Sequence, residues 1–381
     1  MQNNRAGWAQ IDITPPLGLP MGGRGSRFTP GAATLDPLLA QALVLEDETG
    51  RRMLWVSMDM IGMSYHATAE FRYELMAATG IPFDAIVINA SHTHSGPMTG
   101  FEGYATLQPK PEQMQVYETG LIAKTVRMAH EAIARLAPAK VSVHRGLSDI
   151  GINRRRRDPA GQMGMGPDPE GFYNRDLWLL DVVAGDARSI TFSYGCHPVL
   201  VYGYAYDSIS ADWPGVCRNR LQEALGRDVQ AQFVQGLAGN VRPRQVADLD
   251  QGIFRKPTTA QDHMAVGAQL ADDVLSTLGT GGEVLDLELA AVAGFALAPR
   301  DLHKAPPLEY WQELASSNDE LNHNVGAYWA ERIVSGLPLM PVVPWSIGLM
   351  RLAKGHQIAW MSGEPLAEWL RHLREWLDDD G

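Results

Sequence analysis

The chain has 381 residues, 45% apolar and 20% charged, the ordinary balance of a globular protein, with a formal net charge of -12. That acidity excludes general nucleic-acid binding, which needs Lys and Arg to displace counterions, and disfavours docking on anionic membranes. Its two cysteines, Cys196 and Cys217, form no CxxC pair, so a disulfide scaffold is not expected.

The opening "MQNNRAGWAQ" lacks the apolar core of a signal peptide, and no apolar run approaches the ~20 residues of a membrane span. The expectation is a soluble cytoplasmic protein without stable membrane insertion. Strands are predicted at "QALVLED" and "RMLWVSMDM", then a helix over 66–79. The next strand, "AIVINA", stops at "SHTHSGP". In extended chain, residues i and i+2 share a side, so His92 and His94 can face one point with Thr93 turned away. Ser-Gly-Pro then keeps the backbone from continuing the strand. Ligands collect beyond the carboxyl ends of strands in α/β sheets. A metal site, an acid–base pair and two plain loop histidines all fit this motif.

"FEGYATLQPKPEQ" follows, then a helix from Glu112 to Leu136 with Ile122, Val126, Ala129 and Ile133 on one apolar face. After the strand "KVSVHRG", the stretch "NRRRRDPAGQMGMGPDPEGFYNRD" reads as a long loop. Strands "LWLLDVV" and "SITFSYG" come next, the latter ending in Gly195-Cys196-His197-Pro198. His197 repeats the pattern of a histidine just past a strand and followed by proline, and alone it also fits a hydrogen-bonded core histidine; Cys196 would point away as a buried structural thiol. Tyr104, Tyr173, Tyr202, Tyr204 and Tyr206 are candidates for pocket walls or for simple packing. Helices start near Trp213, Ala260 and Leu308, with the strand "AQFVQG" between the first two. "EVLDLELAAVAGFALA" reads as one or two further strands. The alternation indicates an α/β layered fold with a mixed sheet.

A zinc site needs a third protein ligand, commonly a carboxylate in hydrolases. Glu364 sits at a strand-to-helix turn in "HQIAWMSGEPLAEWLRHL", where a first-turn acid also suits the helix dipole. Asp212, in "SISADWPGVCRNRL", is the second candidate, and Asp with Pro214 two residues on also suits a helix start.

Taken in order, these segments resemble the N-terminal catalytic domain of the neutral/alkaline, non-lysosomal ceramidase family. "AGWAQIDITPPLGLPMGG", "LDPLLAQALVLED", "MLWVSMDMIGM", "SHTHSGP", "INRRR", "GCHPVL", "SADWPG", "GLAGNVRPR" and "MSGEPLAEWL" fall in the family's order. The resemblance implies one ceramidase-like domain over residues 1–381, with a mixed β-sheet core flanked by helices. It implies a zinc ion held by two histidines, a glutamate and a tyrosine, and motif by motif this places zinc on His92, His197 and Glu364. It gives His94 a catalytic role beside the zinc and Arg154 a role in holding the substrate's reacting group. The implied activity is metal-dependent hydrolysis, with amide bonds leading.

Three departures from the family pattern shape the expectation. The family's catalytic serine lies in Gly-Asp-x-Ser-Pro-Asn; here Gly239 to Arg244 put Arg242 in place of the serine and Asn240 in place of the acid. Both are assigned to substrate binding, Arg242 suiting an anionic or strongly polar group. The tyrosine-bearing segment is not found before Gly381, so water, Asp212 or a partner subunit would complete the zinc shell; Asp212 is carried as a further catalytic residue. No immunoglobulin-like domain or export signal is seen. The expected substrate is a small soluble molecule, and a homo-oligomer would cover the abrupt "EWLDDDG" ending. Ester, lactone or glycoside hydrolysis, and a metal-stabilised binding protein without chemistry, are the rival readings.

Overall fold

The computed structural model describes residues 4–23, 29–97, 112–337 and 341–377. "FEGYATLQPKPEQ" up to residue 111, with Tyr104, and the last four residues lie outside them. Two five-stranded mixed sheets form the centre. The first runs, edge to edge, Ile86–Ala90, Arg52–Met58, Leu39–Glu46, Arg5–Asp12 and Ala137–Pro138. The second runs Gln230–Gln235, Ala187–Tyr194, Asp176–Ala184, Lys140–Leu147 and Glu283–Leu285. Each sheet is antiparallel except at one edge, where Ile86–Ala90 pairs parallel with Arg52–Met58 and Gln230–Gln235 pairs parallel with Ala187–Tyr194.

The sheets pack face to face. One apolar cluster joins Val44, Leu54 and Val56 of the first sheet to Leu180, Val182 and Val234 of the second. Polar groups cross the same interface: Gln41 donates to the Ala231 carbonyl, Gln230 to Ala42, and Gln232 to Gln41 and to the Ser57 hydroxyl. Helices Tyr65–Thr79 and Glu112–Ala134 cover the outside of the first sheet. Helices Asp212–Leu225 and Gln261–Gly279 cover the second, through Trp213, Leu221, Val266 and Leu270. The fold is therefore α/β with helices flanking mixed sheets. Strands buried on both faces explain the near-continuous apolar runs in the sequence.

The predicted strands appear within a residue or two, and the 66–79 helix is Tyr65–Thr79, capped by the Ser64 hydroxyl and ended by Gly80 at φ 72°. Two expectations change, and a third, of one or two further strands, is met with two. The apolar face of the 112–134 helix is centred on Leu121, Thr125, Met128 and Ala132, while Ile122, Val126 and Ile133 flank it half-buried. The predicted long loop after Asn153 is instead a hairpin of Gly151–Arg157 and Met163–Asp168, to which Val241–Pro243 adds a third strand. "EVLDLELAAVAGFALA" divides between two sheets: Glu283–Leu285 closes the second, and Ala290–Pro299 joins Val342–Ala353 and His356–Met361 in a separate antiparallel sheet.

Candidate metal centre and active site

Three sheets deliver side chains to one point. His92 and His94 follow the parallel edge strand of the first, His197 follows a central strand of the second, and Glu364 follows His356–Met361 of the third. The strand that precedes Glu364 thus lies in neither of the sheets that carry the histidines. Ligand nitrogens of the three histidines lie within 4.8 Å of one another. His92 Nε2 is 3.4 Å from His94 Nε2 and 3.6 Å from Glu364 Oε1, and His197 Nε2 is 3.2 Å from Glu364 Oε2.

Backbone geometry sets up this convergence. His92 adopts the left-handed region, φ 64°, and its N–H donates to the Met60 carbonyl. The extended His-x-His of the sequence reading is thus a tight turn, although Thr93 does turn away and donates to the Ser210 carbonyl. A non-glycine residue held there costs about 1–3 kcal/mol and persists only where its surroundings over-determine it. His94 N–H donates to the Pro198 carbonyl, which ties the first histidine loop directly to the second.

Each ring is oriented through Nδ1. His92 Nδ1 faces the Ile61 carbonyl at 2.6 Å, His94 Nδ1 the Gly23 carbonyl at 2.6 Å, and His197 Nδ1 the Val241 carbonyl at 3.0 Å. A carbonyl only accepts, so each Nδ1 carries the proton and each Nε2 presents a lone pair. Three lone pairs and a carboxylate then point at one place, an arrangement that fits a divalent cation. Two ligands ~2.1 Å from a tetrahedral ion stand roughly 3.4 Å apart, which is the spacing found.

The electrostatics agree. Burial pushes the His197 imidazole down to about 4 against the opposing pull of Glu364. Burial, with repulsion from His92 and His197, holds His94 well below its ordinary value. Hydrogen bonds to His197 and then His92 hold the Glu364 carboxyl well below the usual carboxylate range. His94 and His197 are thus favoured neutral and Glu364 ionised, the states in which such groups bind metal.

A supporting frame that the sequence did not reveal surrounds these groups. Asp59 and Arg218 form a buried two-bond ion pair, at 2.9 and 2.5 Å, behind the 60–61 carbonyls that set His92. Gly239 and Asn240 hold the Glu364 segment. Gly239 N–H donates to Pro365, and a Cβ on Gly239 would lie 2.3 Å from the Glu364 carbonyl oxygen. Asn240, fully buried, donates to the Glu368 carboxylate and accepts from Ala367 N–H. Its amide therefore serves the protein, and the structure does not present it to a substrate as expected.

Arg154 does reach the site. Two of its donors bond the Gly239 carbonyl, and Nη2 stands 3.9 Å from Glu364 Oε2. Asp212 is not offered in the same way. Its oxygens accept the N–H groups of Leu200, Val201 and Trp213, and at φ 58° it anchors the 200–204 turn beside His197. Arg242 bonds the Tyr202 hydroxyl, and the Tyr202 ring stacks on His94 with centroids 6.0 Å apart. Cys196 is a buried free thiol, as expected.

The three histidines and Glu364 line a cavity of about 1250 Å³ whose other walls include Trp178, Phe295, Trp345, Trp360, Met361 and Leu373. Drug-sized pockets run to about 1,000 Å³, so the space exceeds what a small polar molecule requires.

No family model matches the chain. Solved structures do. The neutral ceramidase from Pseudomonas aeruginosa is similar at 20% identity and a TM-score of 0.68, over 93% of this chain and 61% of that one. A ceramidase complexed with C2 is similar at 18% identity and a TM-score of 0.65, over 93% of this chain and 62% of that one. The chain has the neutral-ceramidase fold and spans about three fifths of the length of those structures.

Proposed function

We propose that the chain is a metal-dependent hydrolase that cleaves an amide bond in a substrate with a long apolar portion. The observation that carries this reading is the inward set of three Nε2 lone pairs and one carboxylate, each Nδ1 fixed on a backbone carbonyl. His92, His197 and Glu364 would hold the ion, zinc being the choice for a nitrogen and carboxylate set. A bound zinc ion lowers the pKa of water towards ~7 and polarises a carbonyl.

The chain's own groups do the rest. His94 Nε2, kept unprotonated by burial and turned inward by the Gly23 carbonyl that holds the Nδ1 proton, takes a proton from the attacking water and returns it to the leaving amine. Arg154 positions Glu364 and Gly239, and places a fixed positive charge beside the carbonyl oxygen as negative charge develops. Asp212 is proposed to position the loop beside His197. The apolar cavity, which no sequence motif announced, favours a substrate carrying an acyl chain over the small soluble one expected.

Metal analysis and turnover of medium- and long-chain N-acyl amides test this together. About one zinc per chain is expected, lost in His92→Ala and His197→Ala. His94→Ala should retain metal and lose turnover about 10²–10⁴-fold, the usual contribution of a positioned acid–base group. Metal retained in both His92→Ala and His197→Ala would overturn the site; metal lost in His94→Ala would make that residue a ligand.

A further inference from the structure

Arg242 has an unusual environment for an arginine of this chain. Arg218, Arg188 and Arg255 each clasp a carboxylate with two donors, on Asp59, Asp181 and Asp262. Arg242 instead has the Tyr202 hydroxyl at 3.1 Å, the Met165 sulfur at 3.2 Å and the Phe254 ring at 5.0 Å. Its buried Nε has no hydrogen-bond partner, and no carboxylate pairs with it among the described residues. A guanidinium is a planar fork of five donors matched to carboxylates, and leaving such donors buried and unmet is unfavourable.

Its place in the fold directs that unmet capacity at the site. Arg242 lies between Val241, whose carbonyl orients His197, and Pro243, on the short strand that pairs with the hairpin of Arg154. Through Tyr202 it is one side chain away from His94. The positive charges of Arg242 and Arg154 act on each other, and among the described residues Arg154 has its ion pair with the proposed metal ligand Glu364. The apolar cavity counts the three histidines and Glu364 among its walls, but not Arg154, Tyr202 or Arg242. The histidine cluster thus borders the apolar cavity directly and Arg242 through Tyr202.

We infer that the substrate is an amide whose amine half bears an anion, with N-acyl amino acids the simplest class, and that Arg242 reads the anion. This rests on the hydrolase reading above. The acyl chain occupies the cavity and the amide lies at the histidines. The carboxylate, one carbon from the amide nitrogen, takes the free donors of Arg242. Water supplies its oxygen to the acyl carbon and the C–N bond breaks. The amine leaves with a proton, giving a fatty carboxylate and an amino acid.

Three amides with one dodecanoyl chain test the proposal on zinc-loaded protein: the glycine conjugate, the taurine conjugate and the neutral ethanolamide. The glycine conjugate is expected to exceed the ethanolamide in kcat/KM by about thirtyfold, at the lower end for an unmatched buried charge. Arg242→Gln should collapse that ratio to about one, chiefly through KM, and Arg242→Lys should restore part of it. A taurine conjugate preferred over the glycine one would support the same subsite with a sulfonate as the anion. Equal rates on charged and neutral amides, with a ratio indifferent to Arg242→Gln, would overturn the inference while leaving the hydrolase standing. Calorimetry of dodecanoylglycine on metal-free protein separates the two readings. Binding that is weakened by Arg242→Gln, with no amide cleaved, keeps the anion subsite and removes the hydrolase. Binding indifferent to the substitution removes the subsite. If Arg242→Gln does not fold, the wild-type substrate ratio and Arg242→Lys decide.

Discussion

His197 Nε2 and Glu364 Oε2 stand 3.2 Å apart although 167 positions separate them in the chain. His197 leaves a strand of the second central sheet and Glu364 leaves the separate antiparallel sheet, so their meeting depends on how those sheets dock. In the proposed metal centre, such a pair would make the ion a cross-link between parts of the fold.

Metal binding should consequently appear as stability. Zinc at about 100 times its dissociation constant should raise the unfolding free energy by about 2.7 kcal/mol, because it binds the folded chain alone. Urea unfolding with and without chelator measures this. Glu364→Gln should shrink the difference, and an unfolding curve indifferent to chelator would count against the centre.

Gly239→Ala should damage the site without touching a ligand. The added Cβ would meet the Glu364 carbonyl oxygen at 2.3 Å, a contact that only a shift of the 364–365 backbone relieves. Overpacking of this type destabilises by about 1–3 kcal/mol. Zinc affinity should fall as well, and isothermal titration with zinc would detect it; unchanged affinity would mean that the Glu364 loop yields freely.

Removing one partner of the Asp59–Arg218 pair should be severe. Both side chains are almost wholly buried, and breaking such a pair strands a charge at about 3–5 kcal/mol. Asp59→Ala should lower the denaturation midpoint and, through the 60–61 carbonyls, disorder His92. Replacing both residues with apolar side chains should recover much of the stability but not the metal affinity.

Acid should destabilise the metal-free protein over a defined window. The folded His197 value of about 4 lies below the unfolded value near 6.5. Between these the unfolded chain binds a proton that the folded one refuses, so stability falls as pH drops from about 6.5 towards 4 and is flat above. Glu364, lowered in the fold, acts in the same direction at lower pH. The His197 contribution amounts to about 3 kcal/mol at one pH unit per 1.36 kcal/mol. Unfolding free energies at pH 5 and 7.5 should differ in the parent, and the difference should shrink in His197→Ala, with His94, lowered in the same direction, keeping the remainder.

Much of the cluster was legible in sequence because His92, His94, His197 and Glu364 each follow an apolar strand and precede a turn-forming proline or glycine: "INASHTHSGP", "GCHPVL" and "MSGEPL". Periodicity located the strands around them. What periodicity cannot carry is pairing between distant segments, so the placing of Glu364 on a third sheet was missed. The same limit hid the Gly239–Asn240 clamp, where a motif position assigned to substrate turns out to bind the chain's own Glu368. The arginine-rich stretch after Asn153 looked like a loop because it is rich in Gly, Pro and charge, whereas its backbone finds strand partners in Val241–Pro243 and in itself. The left-handed His92 left no mark in the sequence, since the hydrogen bond to Met60 that secures it is tertiary.

The glutamines between the two central sheets have a consequence for precision. Apolar surfaces can slide past one another with little penalty, but Gln41, Gln230 and Gln232 bond particular carbonyls across the gap. A slip of one residue pair would leave those buried amides unmatched, at about 1–3 kcal/mol for each group. They act as alignment pins between two halves that each carry a histidine loop, so the sheets have one discrete docked position. That makes the spacing of His92, His94 and His197 a property of the interior, fixed before any ion or substrate arrives.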